Sequence, residues 1–323
     1  MRNLHSETGT KCSHLRFVII EMKKNIVPFF VACLALSCST TAFSRQQHSN
    51  DPVRPGESLK LVSRKFAFTE GPAMNRKGEI FFTDQPNNTI WKYGLDSTLS
   101  LFMDKAGRAN GLFFDRKGNL IACADENNEL WSIAPDKRVT VLLNNDEGRR
   151  FNGPNDVWVD PQGGIWFTDP YYQRDYWTRQ APELKHQGLY FLARGSRQAR
   201  LVDTAFTKLN GLIGTPDGKM LYVTDLGGGK TYCYDIAAPG ALRNRRLFAA
   251  KGCDGMTLDN RGNLYLSGKG VTIYDKSGTL LRHIDVPEDW TANLCFGGKD
   301  KDLLFITAKQ AVYTLKMRVK AAE

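Results

Sequence analysis

Histidine is scarce. It occurs five times in 323 residues, and never at the positions that recur along the chain or in the turns beside them. That removes the usual zinc and copper ligands from those positions, and with them a histidine-based triad. Seven cysteines are present, yet none is spaced Cys-x-x-Cys, so a thiolate zinc or iron–sulfur site is not expected. Cys12, Cys33 and Cys38 lie near the start, leaving Cys123, Cys233, Cys253 and Cys295 for the folded part. A bridge between Cys253 and Cys295 is conceivable, but buried free thiols are the expectation. No apolar run is long enough to span a bilayer; Ile26 to Leu36 falls short. Lysine and arginine give a net charge of +10 but form no dense run. A solvated basic surface is expected, and no nucleic-acid partner. Helical periodicity is weak after residue 50.

The N-terminus has the build of an export signal. Lys23-Lys24 is a short basic region, Ile26 to Leu36 an apolar one, and Ala42-Phe43-Ser44 supplies the small residues of a cleavage site. Residues 1–44 are therefore expected to be a signal peptide, with Met22 as an alternative start. The protein would be periplasmic or secreted, with lipid attachment at Cys38 the weaker alternative. Removing residues 1–44 would leave a net charge of about +7. Residues 45–57, polar with two prolines, are expected to be a disordered leader.

From residue 58 onward one pattern is written six times. Asn152-Gly153-Pro154-Asn155-Asp156 leads into an apolar strand, an Asp160-Pro161-Gln162-Gly163-Gly164 turn, and a second apolar strand ending in Thr168-Asp169. The other copies open at Glu70, Asn110, Asn210, Asp254 and Asn293, so the six anchors are separated by 40, 45, 55, 44 and 39 residues. Strand–turn–strand units at this period are propeller blades. A β-sandwich has no reason to repeat a polar residue at one place in every unit. The expected fold is all-β, a six-bladed propeller over residues 58–319. Ala311 to Met317 ends the last unit one strand short, so the strand near residues 58–68 should complete it and close the ring. The long interval contains an aromatic and polar insertion, residues 170–186, expected to overhang the channel mouth.

The anchors precede the innermost strands, so their side chains should ring one end of the axis. Two carboxylates with several amide oxygens suit a hard cation. A single Asn or Asp could merely cap a turn, but Glu70 has no turn-forming role. A full set therefore points to a ligand ring.

These segments resemble a known family. Thr69-Glu70-Gly71-Pro72, Arg150 to Asp156, Asn210-Gly211-Leu212, Cys253-Asp254-Gly255-Met256 and Cys295-Phe296-Gly297-Gly298 are similar, in this order and spacing, to hallmark segments of the senescence-marker-protein/gluconolactonase/luciferin-regenerating-enzyme family. The resemblance spans residues 58–317. It implies a six-bladed propeller with one divalent cation on the axis, held by Glu70, Asn155, Asn210 and Asp254. Calcium leads, and magnesium, manganese or zinc are also admitted. Asn110 and Asn293 receive no ligand role. The resemblance further suggests Asn152, Asp225, Asn110 and Tyr171 as substrate contacts, although regucalcin-like members carry Arg near the place of Asn152.

The resulting expectation is a metal-dependent hydrolase that opens a sugar lactone, gluconolactonase-like, with Asp254 as general base. Two alternatives stay open: a phosphotriester or aryl-ester hydrolase on the same site, and an exported propeller that binds a sugar or protein without catalysis. The partner is a small lactone or related ester. No oligomer signal is visible.

Overall fold

The computed structural model describes residues 50–323. The expected signal peptide and the lipid-attachment alternative at Cys38 lie outside them. Six four-stranded antiparallel sheets follow one another around a ring. The innermost strands are Thr69–Met74, Ala109–Phe114, Val157–Val159, Leu209–Gly214, Met256–Leu258 and Asn293–Gly297. In the sixth sheet the strand Lys60–Ser63 pairs outside Ala311–Lys316, with Lys60 opposite Thr314. The N-terminal strand thus closes the ring, as the incomplete last unit predicts.

The repeated turn forms for a local chemical reason. Its first residue folds its own side chain back onto the turn. Asn75 Oδ1 accepts from Lys77 N and Glu79 N, Asp115 Oδ1 from Lys117 N and Asn119 N, Asp160 Oδ1 from Gln162 N and Gly164 N, and Asp259 Oδ1 from Arg261 N and Asn263 N. The bend is closed by a residue in the left-handed region, such as Gly78 at φ 92° or Gly163 at φ 88°, which a side chain would strain. The two apolar strands then pair and bury their faces between neighbouring blades. Phe82, Phe305 and Phe66 pack between the last blade and the first.

The hairpin ends tie the blades together near the axis. Thr83 Oγ1 donates to Asn110 O in the next blade at 3.1 Å. Thr224 Oγ1 accepts from Cys253 N at 2.9 Å, and Ser267 Oγ donates to Ala292 O at 2.7 Å. These bonds tie blade one to blade two, four to five and five to six.

Two boundaries differ from expectation. Residues 50–57 do not all belong to a disordered leader. Val53 is buried in the core shared by the last two blades and bridges to Met317, while Arg318 N donates to Pro52 O at 2.8 Å. A buried valine supplies the burial that a polar leader lacks. At the other end the chain stays attached past residue 319, with Asn260 N donating to Lys320 O at 2.9 Å. The four described cysteines are buried free thiols. Among the described residues no helix is long and apolar enough to cross a membrane.

Candidate active site

The anchors of blades one, two and four sit at a repeated irregularity. The pairing register shifts between Glu70 and Ala73, between Ala109 and Leu112, and between Leu209 and Leu212. Such bulges re-aim a side chain, and here they lie where the anchors meet the axis. All six anchors are buried. Close backbone approach makes the following glycine necessary: a Cβ on Gly71 would come 2.0 Å from Asn110 O, at a φ of +39°.

Three of the four predicted cation ligands form one electrostatic group. Burial, then the neighbouring Asp254 carboxylate, pushes the pKa of Glu70 well above the carboxylate range. Burial also raises Asp254, against hydrogen bonds from Trp290 and Asn210. Glu70 Oε2 accepts from Gly71 N at 3.0 Å, and Asp254 Oδ2 from Trp290 Nε1 at 2.6 Å. The fourth, Asn155, is buried on the third blade, its backbone held by Thr168 O and Gly111 N, each at 2.8 Å. Asn210 Nδ2 donates to Tyr172 Oη at 3.1 Å. Turning that amide by 180° presents its oxygen to the same space.

Among the described residues no three His, Cys, Asp or Glu side chains gather as a metal cluster. The donor set is two carboxylates plus two amides, which suits an oxygen-preferring cation. Two neighbouring buried carboxylates repel when ionised, and a cation between them relieves that cost. The residues therefore fit a divalent ion.

Three predicted substrate contacts have other work. Asn152 is fully buried, and its Nδ2 donates to Asp169 O at 3.1 Å and His186 O at 2.8 Å. It fastens both ends of the inserted loop. Asp225 caps a turn, accepting from Thr207 N, Lys208 N and Gly228 N. Tyr171 stays within the loop, its hydroxyl donating to Gln173 and its ring 5.9 Å from that of Trp177. Asn110 lies at the axis, its carbonyl bonded by Thr83.

Four residues outside the predicted set reach the site. Asp156 sits between the ring and the tunnel beyond it. Burial pushes its pKa up to about 7, against hydrogen bonds from Val157 N and Leu212 N. Its signal was present: Glu70, Asn110, Asn210 and Asp254 are each followed by Gly, whereas Asn155 is followed by an acid. Trp290 holds Asp254. Tyr172 covers Asn210. Arg174 lies between the rim and Asp125, its Nε 2.8 Å from Asp125 Oδ2. Burial opposes its charge, but Asp125, Tyr176 and, more distantly, Glu70 hold its pKa above the ordinary value. Asp125 is buried and also accepts from Tyr176 Oη at 2.6 Å and Gln85 Nε2 at 3.1 Å. Trp177 Nε1 donates to its carbonyl at 2.9 Å. The insertion is thereby clamped across the mouth, as its length and position predict. Beyond Asp156 the axis opens into a cavity of about 270 Å³, lined by Leu112, Val157, Leu212, Met256 and Leu294 and bordered by Ala321–Glu323.

The SMP-30/gluconolactonase/LRE-like region matches residues 68–310. The chain belongs to this family. It is 27% identical to a gluconolactonase of Zymomonas mobilis over 80% of this chain and 81% of that protein. Its identity to lactonohydrolase oryL of Aspergillus oryzae is 29%, over 57% of this chain and 49% of that protein. Among solved structures, a gluconolactonase from Xanthomonas campestris aligns with a TM-score of 0.77 and 27% identity, covering 84% of this chain and 92% of that one. Family and fold therefore agree with the resemblance carried by the anchor segments.

Proposed function

We propose that this protein is a divalent-cation-dependent hydrolase that opens a sugar lactone at the axial ring. Hydrolysis of a carboxylic ester rests on the family and on relatives named gluconolactonase and lactonohydrolase. The observation that supports the site is the meeting of Glu70 and Asp254, two buried carboxylates from blades one and five, beside the amide of Asn210.

Glu70, Asn155, Asn210 and Asp254 would hold the ion. A bound divalent cation supplies Lewis-acid polarisation of the lactone carbonyl and stabilises the negative charge that develops on its oxygen. Trp290 fixes the Asp254 carboxyl through Oδ2, and this carboxylate takes the proton of the attacking water. As the ring ester bond breaks, that proton passes to the departing ring oxygen, and a hydroxy acid is released. Tyr172 and the clamped loop limit entry of bulk water above the reacting carbon.

The test is hydrolysis of glucono-δ-lactone by the domain, with chelator and with calcium restored. Activity lost to chelator and regained with the ion supports the reading. Turnover unaffected by Asp254→Asn, with the ion still bound, overturns the base assignment. Export to the periplasm or medium is a separate proposal from residues 1–44, tested by N-terminal sequencing of the protein recovered outside the cytoplasm.

A further inference from the structure

The rim of the site carries a cation that its own acids do not neutralise. Tyr172 stands over Asn210, and two cations approach its ring, Lys208 Nζ at 4.4 Å from the centroid and the Arg174 guanidinium at 5.7 Å. Arg174 is committed to Asp125 through Nε, with 24% of its side chain exposed against 3% for the acid. Lys208 forms no ion pair with any described residue and is half-buried. Its place is fixed by the fold: its N–H donates to Asp225 Oδ1 at 2.9 Å, and Gly227 N donates to its carbonyl at 3.2 Å. It stands two positions before Asn210, immediately before the innermost strand of blade four, Leu209–Gly214. A Cβ on Gly227 would come 2.9 Å from Lys208 Cβ, so the lysine stem runs against a wall.

We propose that Lys208, with Arg174 near the same Tyr172 ring, receives an anionic substituent of the substrate, so that the preferred lactone bears a carboxylate or a phosphate away from the carbonyl that is opened. This rests on the lactonase reading of the same site. A neutral sugar lactone is satisfied by hydroxyl and amide partners and leaves Lys208, which has only the Tyr172 ring beside it, without an anionic partner. An oxyanion accepts charge-assisted hydrogen bonds from ammonium and guanidinium groups. The acids on the axis do not serve as partners for Lys208, because they converge on the proposed ion.

The test compares kcat/KM for glucono-δ-lactone, a glucarate monolactone and 6-phosphoglucono-δ-lactone on wild type, Lys208→Gln and Lys208→Arg. Calorimetric binding of glucarate, 6-phosphogluconate and neutral glucitol is measured in parallel. The expected result is a preference of tenfold or more for one anionic lactone, which identifies carboxylate or phosphate. Lys208→Gln should cut that preference at least tenfold, chiefly through KM, and Lys208→Arg should restore most of it. A neutral lactone used as well as the anions, or a preference that survives Lys208→Gln, overturns the proposal while leaving the lactonase reading intact. Absence of lactone turnover with Lys208-dependent binding of the anions has the reverse meaning. Absence of Lys208-dependent binding as well overturns both.

Discussion

The indole Nε1 of Trp290 donates to Asp254 Oδ2 at 2.6 Å, so a residue from the approach to blade six orients an acid on blade five. This bond favours the ionised acid, opposing the burial that raises its pKa. Trp290→Phe removes a hydrogen bond to a charged group, worth about 1.5 kcal/mol. The acidic limb of the kcat/KM profile should move up by about one pH unit. An unmoved limb with normal ion binding would separate Asp254 from proton transfer.

Asp125 clamps the inserted loop, and its removal should free the loop before it unfolds the ring. Asp125→Ala deprives Arg174, Tyr176 and Gln85 of one acceptor. Because Arg174 is partly exposed, the cost is set at about 2 kcal/mol, below that of a fully buried pair. Limited proteolysis should cut within residues 170–187 at least tenfold faster, and KM should rise. A variant as resistant as wild type would show that other contacts hold the loop.

Gly71→Ala places a Cβ 2.0 Å from Asn110 O at a positive φ. The backbone of blade one must move away from blade two. A loss of about 3 kcal/mol in urea unfolding is expected, with weakened ion binding measured by calorimetry. Gly118→Ala is the control, since its Cβ meets nothing within 4 Å, although its φ of +85° also carries strain. Equal losses in both would assign the effect to φ alone.

The buried acids make the ion-free protein sensitive to base. Burial raises Asp156 from 3.8 to about 7, and raises Glu70 and Asp254 as well. The folded state keeps protons that the unfolded state releases. Their stabilising contribution is full below about pH 4 and is lost as pH rises to about 7. In chelator, the urea midpoint should therefore fall across this range. Asp156→Asn should flatten the fall, and a fall of undiminished size would exclude Asp156 as a source.

What was legible in the sequence was what local chemistry and repetition determine. Asp115, Asp160 and Asp259 write their own turns through bonds spanning two and four residues, so the hairpins and their period could be read directly. The anchors were legible because each keeps the same place in its repeat. The rim was not. Asp84, Asp125, Asp169 and Asp225 end equivalent hairpins, yet Asp84, Asp169 and Asp225 cap backbone N–H groups, while Asp125 receives Arg174 from 49 residues away. Nothing local distinguishes them. The same limit explains the shift from Tyr171 to its neighbour Tyr172: which of two adjacent tyrosines faces the axis is decided by how the loop is fastened at Asn152 and Asp125.

The ring closure has a consequence for how the molecule assembles. Blades one to five are each contiguous in the chain and can pair as they emerge. The sixth must wait for Ala311–Lys316 and then capture Lys60–Ser63 from the opposite end. The cluster joining Phe66 and Phe82 to Cys295 and Phe305 packs along this seam. This longest-range pairing is the natural slow step, and the same seam is where mechanical pulling on the termini would first open the ring.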